Sequence, residues 1–431
     1  MTIEQLYEIY LRHPSIQTDT RKLTNGDLFF ALKGPNFNGN KFAVRALEMG
    51  AAYAVIDEAP SDEEMPPPYH SDRLLFFPDV LKALQDLALH HRKQFTIPFI
   101  AITGSNGKTT TKELVSTVLA STYKTYTTVG NLNNHIGVPL TILSVQKDAE
   151  FAVIEMGANH QKEIEGYCQY TLPTHGIITN AGKAHLEGFG GPEGVKKGKG
   201  ELYDFLRANN GTAFVMWDYD YLRTMSKGIP QILTYGTKDA EIVGNVDHSD
   251  PSFLTVTLSD GTKIHTQLVG DYNLPNVLVA VTVGIHFGVP AEKIIGSIEG
   301  YSPSNSRSQL IERDGNAIIL DAYNANPSSM RAAIENFARI PDARPKLLIL
   351  GAMAELGPES LAEHQAITEL IGQYKWQDVV LVGGDFQKLE HPYKRFANSE
   401  EAKTWFKAVG IKGSYILIKG SRSSKMEEVL N

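Results

Sequence analysis

One stretch, in which an apolar run, two glycines and a helical pattern follow one another, constrains the fold of this chain most strongly. The stretch is Ile97–Ala120, IPFIAITGSNGKTTTKELVSTVLA. An apolar run followed by glycines and a Gly-Lys-Thr triplet is typical of a strand, a phosphate-binding loop and a helix. The common form of this loop has a glycine at the position that Ile102 occupies here. The first glycine of this chain's loop is Gly104, so the loop is shorter than the common form.

The chemistry of this stretch predicts an anion-binding site. Backbone N–H groups at a helix N-terminus point toward an anion, and the helix dipole adds to the attraction. Glycine lets the backbone approach phosphate closely, the lysine adds a positive charge, and the threonine hydroxyl after it can reach a magnesium ion. A glycine-rich turn before an exposed lysine is the alternative, but both glycines, the triplet and an apolar strand occur together here. The predicted phosphate-binding residues are Gly104, Ser105, Asn106, Gly107, Lys108, Thr109 and Thr110.

Apolar runs that alternate with helical patterns predict an α/β fold. A length of 431 residues suggests about three domains. We expect a small mixed α/β domain over residues 1–95, a central domain with a P-loop-type parallel sheet over 96–305, and a Rossmann-like α/β domain over 306–431. The predicted strands are 26–34, 51–57, 97–104, 151–158, 175–182, 316–323, 346–353, 378–384 and 415–421. An Asp-Gly turn within 252–270 predicts an antiparallel hairpin added to the central sheet.

Composition argues against several other classes of protein. The net charge of −8 gives no electrostatic support to nucleic-acid binding. Cys168 is the only cysteine, so no disulfide can form within the chain, and a buried small apolar side chain is a better interpretation than a nucleophile. The longest apolar run, Asn276–Val289, is too short to span a bilayer. The first residues show no continuous apolar run, so we expect no signal peptide, no membrane insertion and a cytoplasmic location.

Two polar residues follow other predicted strands of the central domain. Glu155 ends the apolar run AVIE, and His185 comes after the strand at 175–182. Open α/β sheets bind ligands at the carboxyl ends of their strands, so Glu155 is a candidate magnesium ligand and His185 a candidate for a second metal site. The alternatives are an ion-paired or helix-capping glutamate and a structural histidine. Spacing does not distinguish among the three lysines that follow, which are Lys196, Lys197 and Lys199.

Several motifs in order along the chain resemble those of the Mur ligases, the ATP-dependent amino-acid ligases of peptidoglycan precursor synthesis. That family shares the shorter loop, T-G-x-x-G-K-T, and the resemblance covers essentially the whole chain. The other motifs are TDTRKLTNGDLFFALKGPNFNG, GNLNNHIGVPLTIL, VIEMGANHQKEI, ITNAGKAHLEGFG, DAYNANPSSM, LGAMAELG and IKGSRSSKME. The resemblance implies ligation of D-alanyl-D-alanine to UDP-N-acetylmuramoyl-tripeptide through an acyl phosphate, with these two molecules as partners. We expect a monomer.

The same resemblance implies catalytic and metal-binding roles. Lys108 and Thr109 would hold the phosphates of ATP and a first magnesium ion, and Glu155 would share that ion. His185 would help to bind a second magnesium ion. Lys199 matches a lysine that relatives carry as a carbamate, a carboxylate-like group that bridges metals.

Other residues match family positions that contact the substrates. Asn273 and Asn276 match asparagines that contact adenine, and Arg307 and Asp321 match residues near the phosphate and the ribose. The segment that contains Thr18, Asp19 and Arg21 resembles the family's uridine-nucleotide segment, and the remaining expected substrate contacts are Asn133, Asn134 and Asn326.

The chain departs from the family pattern at a few positions. His135 replaces a common acidic residue after the paired asparagines, Asn38-Gly39-Asn40 replaces an Asp-Gly-His, and Tyr272 replaces a common histidine. Two alternative functions stay open at this point. One is another carboxylate–amine ligase of the same superfamily, including the folylpolyglutamate synthetases. The other is a P-loop switch protein that hydrolyses nucleotide to change partners.

Overall fold

The computed structural model describes residues 1–60, 71–248, 252–303 and 306–431. The described chain divides into two compact units, each assembled from separate stretches. Unit 1 contains Met1–Ala101, Lys124–Gly157 and Glu165–His175, and unit 2 contains Ile102–Tyr123, Ala158–Ile164 and Gly176–Asn431. The predicted domain boundaries after residues 95 and 305 stay a prediction. The acidic, proline-rich stretch 57–72, DEAPSDEEMPPPYHSD, is predicted to be a surface loop, and part of it lies outside the described residues.

The secondary structure is mixed throughout. The α-helices are α1 (Ile3–Arg12), α2 (Ala43–Glu48), α3 (Val80–Arg92), α4 (Lys108–Ala120), α5 (Gly137–Ser144), α6 (Glu163–Thr171), α7 (Leu186–Phe189), α8 (Pro192–Ala208), α9 (Asp220–Met225), α10 (Leu274–His286), α11 (Ala291–Glu299), α12 (Pro327–Arg339), α13 (Ser360–Ile371) and α14 (Ser399–Val409).

The strands of the first half are β1 (Ile16–Gln17), β2 (Leu28–Phe30), β3 (Lys33–Gly34), β4 (Phe37–Asn38), β5 (Tyr53–Ile56), β6 (Leu74–Phe76), β7 (Phe99–Thr103), β8 (Thr125–Thr127), β9 (Phe151–Glu155), β10 (His175–Ile178) and β11 (Thr212–Met216). Those of the second half are β12 (Gln231–Gly236), β13 (Ile242–Asp247), β14 (Thr255–Leu258), β15 (Lys263–His265), β16 (Gln309–Arg313), β17 (Asn316–Asp321), β18 (Lys346–Gly351), β19 (Asp378–Val382), β20 (Lys394–Phe396) and β21 (Tyr415–Lys419).

Unit 1 contains a small parallel sheet in the strand order β1-β2-β5-β6. Its apolar face packs on α2 through Phe29, Ala43 and Ala54. The predicted strands at 26–34 and 51–57 are therefore confirmed as β2 and β5. The same unit contains a parallel pair, β8 and β9, and this pair brings Glu155 to the end of a fully buried strand. Cys168 is buried in α6, as the sequence predicts.

The first part of unit 2 carries the phosphate loop. Strands β11, β12 and β13 are parallel, and β14 and β15 extend them as an antiparallel hairpin around Asp260-Gly261, which confirms the predicted hairpin. Most of the long apolar run Asn276–Val289 lies in α10, which packs on α4 and on this sheet. The end of β7 lies beside the end of β10, where the backbone N–H of Thr179 donates to the carbonyl of Thr103 over 2.9 Å.

The C-terminal segment, residues 306–431, contains a six-stranded sheet in the order β16-β17-β21-β18-β19-β20. Five strands are parallel, and β16 is antiparallel to β17 at one edge. Its core consists of the apolar runs that predicted the strands, with Leu347, Val380 and Ile416 among the buried members. Within the described ranges, no helix has both the length and the apolar character needed to cross a bilayer.

Candidate active site

The loop between β7 and α4 is shaped by two glycines with positive φ. Gly107 has φ of 79° and precedes α4 without a side-chain cap, and Gly104 has φ of 145°. A Cβ atom on Gly104 would lie 2.0 Å from Oγ1 of Thr179, and one on Gly107 would lie 2.8 Å from Oδ1 of Asn276. Both positions therefore require glycine, and the close packing brings the loop backbone to the start of a helix, where an anion is attracted.

Lys108 is the first residue of α4 and directs its charge back over the loop. Its Nζ donates to the carbonyls of Gly104, at 2.6 Å, and Ser105, at 3.2 Å. Thr109 and Thr110 follow in the first turn of α4. An ammonium group, a curled backbone and a helix N-terminus thus meet at one point, which is the arrangement predicted from the sequence for binding phosphate. This glycine-lined cradle fits the phosphates of a nucleotide.

The residues after β10 hold the opposite side of the loop. The carbonyl of Asn180 accepts from the backbone N–H of Ser105 over 2.9 Å, and its Oδ1 accepts from the N–H of Asn106 over 3.0 Å. Oγ1 of Thr179 donates to the carbonyl of Asn106 over 2.6 Å. Thr179 and Asn180 were not among the site residues predicted from the sequence. The motif ITNAGKAH contains both residues and was the available signal.

The two asparagines expected to contact adenine lie behind the loop and are buried. Nδ2 of Asn276 donates to Oδ1 of Asn273 over 2.8 Å, and Nδ2 of Asn273 donates to the carbonyl of Val269 over 2.9 Å. Oγ1 of Thr111, on α4, donates to Oδ1 of Asn276 over 3.0 Å. The structure brings these asparagines to the phosphate loop and shows that they brace it, and their contact with adenine stays a prediction.

In unit 1, the predicted magnesium ligand Glu155 lies beside Asn133, a predicted substrate contact. Nδ2 of Asn133 donates to Oε1 of Glu155 over 2.7 Å, and the carbonyl of Asn133 accepts from the N–H of Gly157 over 2.7 Å. The Glu155 residue is only 1% exposed, and its N–H donates to Oγ1 of Thr128 over 2.9 Å. A buried carboxylate with an oxygen fixed by an amide has the chemistry of a hard-cation ligand, so Glu155 fits magnesium.

The other predicted substrate residues of unit 1 have local roles in this structure. Asp19 and Arg21 form a two-contact ion pair, in which hydrogen bonds from Arg21 lower the pKa of Asp19 to about 2. Oδ1 of Asn134 accepts from the backbone N–H groups of Ile136 and Gly137, at the start of α5. Thr18 is half-buried beside this pair in the sequence. Binding of substrate by Thr18, Asp19, Arg21 and Asn134 stays a prediction.

His185, expected to help bind a second magnesium ion, is paired with a carboxylate. Its Nδ1 contacts the carboxylate of Glu355, and the hydrogen bond lowers the pKa of Glu355. His185 itself has φ of 52° and precedes α7. Among the described residues, no group of three or more His, Cys, Asp or Glu side chains could hold a metal ion by itself. The second metal site therefore stays a prediction, and Glu355 is a partner that the sequence analysis missed.

Lys199 lies on α8 and is almost completely buried. Its Nζ donates to the carbonyl of Ala158 over 2.9 Å and lies 4.8 Å from the centre of the Phe189 ring. Burial, followed by the nearby charge of Lys108, lowers the pKa of Lys199 well below its ordinary value. Among the lysines of this helix, Lys199 is thus distinguished from Lys196, which forms a surface ion pair with Glu193.

Arg307 lies at the start of the C-terminal segment, where its position is set by neighbours that the sequence did not reveal. Its guanidinium lies 3.5 Å from the centre of the Tyr323 ring. The next residue, Ser308, donates its N–H to Oδ1 of Asp321 over 3.0 Å, and its Oγ is 3.0 Å from the hydroxyl of Tyr272. Asp321 thus holds the segment that carries Arg307, and a contact of Asp321 with ribose stays a prediction.

Asn326, predicted to bind substrate, contacts the phosphate loop. Its Nδ2 donates to Oδ1 of Asn106 over 2.7 Å, and Nδ2 of Asn106 lies 3.5 Å from Oδ1 of Asn326. The same Oδ1 accepts from the N–H of Ser329 and so caps α12. The geometry therefore gives Asn326 two partners within unit 2, and a contact with substrate stays a prediction.

Family models match most of the chain in three parts. The Mur ligase family, catalytic domain model matches residues 14–92, the Mur ligase middle domain model matches 102–284, and the Mur ligase, glutamate ligase domain model matches 306–422. Two curated relatives are 34% identical to the chain. Both are named UDP-N-acetylmuramoyl-tripeptide–D-alanyl-D-alanine ligase, one from Bacillus subtilis strain 168 and one from Escherichia coli strain K12. The matches cover 98% and 96% of this chain and 93% and 92% of those relatives.

Solved structures agree with these matches. MurF from Acinetobacter baumannii superposes with a TM-score of 0.88 at 29% identity, covering 100% of this chain and 97% of that one. MurF ligase from Thermotoga maritima, solved in complex with ADP, superposes with a TM-score of 0.86 at 26% identity, covering 97% of each chain. The expected α/β fold is therefore confirmed. The phosphate-loop geometry and the length of the matches together show that this chain belongs to the Mur ligase family.

Proposed function

We propose that this chain joins D-alanyl-D-alanine to UDP-N-acetylmuramoyl-tripeptide and converts ATP to ADP and phosphate. The observation that supports this most strongly is similarity over nearly the whole chain, at 34% identity, to relatives named for this reaction. The glycine-lined loop before α4 supplies a physical site for the phosphates of ATP. The product is the UDP-linked pentapeptide of peptidoglycan precursor synthesis.

The chemistry requires activation of a carboxylate. A carboxylate resists attack by an amine because its negative charge repels the nucleophile. Transfer of the γ-phosphoryl group of ATP to a carboxylate oxygen breaks the bond to ADP and gives an acyl phosphate. The amino group of the dipeptide then attacks the acyl carbon, loses a proton, and displaces phosphate as the new amide bond forms.

The chain's own residues offset the negative charge that gathers in both steps. Lys108 lies over the loop carbonyls within reach of bound phosphate, and the N-terminus of α4 adds its dipole. Arg307, fixed against the Tyr323 ring, supplies a second cation from the C-terminal segment. Asn273 and Asn276 would place the adenine, and Asp321 the ribose.

Magnesium ions are expected to accompany the nucleotide, and the family resemblance gives Thr109, Glu155 and His185 as candidate ligands. When bound, they would neutralise phosphate charge and orient the transferred group. Thr109 offers a hydroxyl and Glu155 a buried carboxylate, and both are oxygen donors of the kind that magnesium prefers. Activity that survives removal of divalent cations by a chelator would contradict this part of the proposal.

A carbamate on Lys199 is a finer expectation that comes only from the family resemblance. The names of the relatives say nothing of this modification. Formation of a carbamate requires an unprotonated amine and carbon dioxide, and burial of Lys199 favours the unprotonated amine. The Lys199→Ala variant cannot form the carbamate. If the negative charge of the carbamate is needed for activity, added short-chain carboxylates will restore activity to this variant. Failure of such rescue in a folded variant would count against it.

Five residues of unit 1 are expected to recognise the UDP-linked substrate. Thr18, Asp19 and Arg21 would contact the uridine nucleotide, and Asn133 and Asn134 the peptide portion. The ATP requirement suits a cytoplasmic enzyme, and we expect it to act as a monomer. Gel filtration coupled to light scattering tests the last point.

A single assay separates this proposal from its two alternatives. Purified protein is given ATP, magnesium and UDP-N-acetylmuramoyl-tripeptide, with and without D-alanyl-D-alanine, and phosphate release is measured. The proposal expects release only with the dipeptide. Release with glutamate or another amino acid in its place would indicate a different ligase of the superfamily. Release without any amine acceptor would indicate a nucleotide switch.

A further inference from the structure

Among the described residues of unit 2, four side-chain contacts join the phosphate loop and the loop after β10 to the C-terminal segment. Two are made by Lys183, whose N–H donates to Oγ of Ser328 over 3.0 Å and whose Nζ lies 2.5 Å from the carboxylate of Glu363. The third joins His185 to Glu355. The fourth is the pair of side-chain amides Asn106 and Asn326.

The amide pair differs from the other three contacts because one partner belongs to the phosphate loop itself. Asn106 sits between Gly104 and Gly107, and its backbone is fixed on one side by Thr179 and Asn180. Its side chain is fixed on the other side by Asn326 over 2.7 Å. Both asparagines are at most half-exposed, so water competes only weakly for their amides. A change at Asn326 is therefore transmitted to the loop backbone through one side chain.

We propose that Asn326 is a positioning residue for the phosphate loop, so that nucleotide binding and the seating of the C-terminal segment favour each other. The inference deepens the proposed function, because it assumes that the loop binds the ATP consumed in ligation. A loop held in its phosphate-binding shape binds nucleotide more tightly, since less conformational freedom is lost on binding. By reciprocity, bound nucleotide holds the C-terminal segment in place. Asn326 then acts through Asn106, whereas the sequence predicted a direct contact with substrate.

A capping role alone would also explain an asparagine at this position. Oδ1 of Asn326 accepts from the N–H of Ser329 over 2.9 Å, and the Ser329 hydroxyl accepts from the N–H of Asn326 over 3.1 Å. Replacement by alanine would remove the cap and the amide pair together. Asn326→Asp separates them, because a carboxylate still caps the helix but cannot donate to Oδ1 of Asn106.

The test measures ADP affinity by calorimetry in the wild type, Asn326→Asp, Asn106→Ala and the double variant. Loss of one such hydrogen bond is expected to weaken ADP binding by about 5- to 10-fold. The double variant is expected to bind ADP about as weakly as Asn106→Ala alone, because the two side chains act through one contact. Asn398→Asp is the matched control: Asn398 caps α14 by accepting from the N–H of Glu401, and it should bind ADP normally.

Amide hydrogen exchange supplies a readout that does not depend on catalysis. In Asn326→Asp, exchange of the loop residues 104–107 is expected to accelerate while α12 keeps its protection. Normal ADP affinity and normal loop exchange in Asn326→Asp would overturn the inference, as would additive effects in the double variant. Ligation by the wild type is measured separately. A wild type that binds ADP but makes no amide bond would refute the proposed function, and the contact between Asn326 and Asn106 would still be tested by ADP affinity.

Discussion

The carboxylate of Asp321 and the ammonium group of Lys419 form an ion pair at 2.5 Å, with side chains 16% and 3% exposed. Lys419 also donates to the carbonyl of Asn324 over 3.3 Å. The other carboxylate oxygen of Asp321 holds the N–H of Ser308. Ser306 and Ser308, on either side of Arg307, have φ of 56° and 47°, which is costly for residues other than glycine. The ion pair thus stabilises a strained segment that presents a candidate catalytic cation.

Replacement of Lys419 by methionine is expected to destabilise the protein by about 3 kcal/mol, because it leaves a largely buried carboxylate without its cation. Urea unfolding followed by tryptophan fluorescence measures the change. Lys263→Met is the control: Lys263 pairs with Asp247 at 2.7 Å but is 51% exposed, so its loss should cost less than about 1 kcal/mol. Equal effects of the two substitutions would show that burial of the Asp321 pair does not matter.

Tyr272→Phe is expected to lower kcat/KM for ATP by about 3- to 10-fold, the effect of losing one hydrogen bond. The substitution removes the hydroxyl that contacts Ser308 and keeps the ring that packs against Gly270. Initial rates at varied ATP concentration measure it. Tyr126→Phe is the control, since that hydroxyl bonds to Asp148 at the surface.

The Tyr272 hydroxyl contacts Ser308, the residue after Arg307, so we expect Tyr272 to act by positioning Arg307. In an Arg307→Ala background, Tyr272→Phe should produce little further loss, because the residue it positions is already missing. An undiminished effect in that background would show that Tyr272 acts through some other group.

Gly104→Ala is expected to weaken nucleotide binding strongly. The added Cβ would lie 2.0 Å from Oγ1 of Thr179, which donates to the carbonyl of Asn106, and φ of 145° also disfavours alanine. Overpacking of this kind costs about 1–3 kcal/mol. Displacement of Thr179 would also disturb the phosphate loop, because Thr179 bonds to its backbone. ADP calorimetry measures the loss. Gly296→Ala, in α11 with no atom near the added Cβ, should bind ADP normally. ADP affinity near wild type in Gly104→Ala would show that the loop tolerates a side chain.

Stability is expected to fall as the pH drops below about 6.5, in part because of His91. Burial lowers the pKa of His91, whose Nδ1 bonds to the Tyr7 hydroxyl and whose Nε2 bonds to the carbonyl of Val145. The unfolded chain then takes up protons that the folded chain excludes, which favours unfolding as the pH falls. Burial lowers the pKa of His286 and His364 in the same direction.

Urea midpoints at about pH 7.5 and about pH 5.5 measure this dependence, and His91→Gln should show a smaller decrease than the wild type. His135→Gln, at an exposed position, is the control and should keep the wild-type dependence. An unchanged decrease in His91→Gln would mean that other groups account for the loss.

The sequence was sufficient for features that depend on neighbouring residues. Continuous apolar runs predicted β7, β9, β17, β18, β19 and β21, because buried parallel strands contact apolar groups on both faces. Two glycines and a Gly-Lys-Thr triplet predicted the phosphate loop, because a strand-to-helix turn that binds phosphate requires these residues together. β16 was missed, since its sequence QLIER is half-exposed at a sheet edge and alternates weakly.

Partners distant in the chain could not be predicted from the sequence. Asn106 and Asn326 are 220 positions apart, and Asp321 and Lys419 are 98 apart. Periodicity describes which face of an element is buried, not which polar groups face each other across two segments. The contact between Asn326 and Asn106 was not predicted, and Glu355, Tyr272 and Lys419 were not assigned any contact. The three-dimensional arrangement supplies these pairs.

Dipeptide-dependent formation of ADP together with a new amide bond tests the central claim most directly. ATP, magnesium and UDP-N-acetylmuramoyl-tripeptide are incubated with the enzyme, with or without D-alanyl-D-alanine, and the UDP-linked product is weighed by mass spectrometry. We predict one pentapeptide product for each ADP when the dipeptide is present, and neither product from Lys108→Ala that remains folded. ADP formation that ignores the dipeptide, or a folded wild-type enzyme that makes no pentapeptide, would contradict the account.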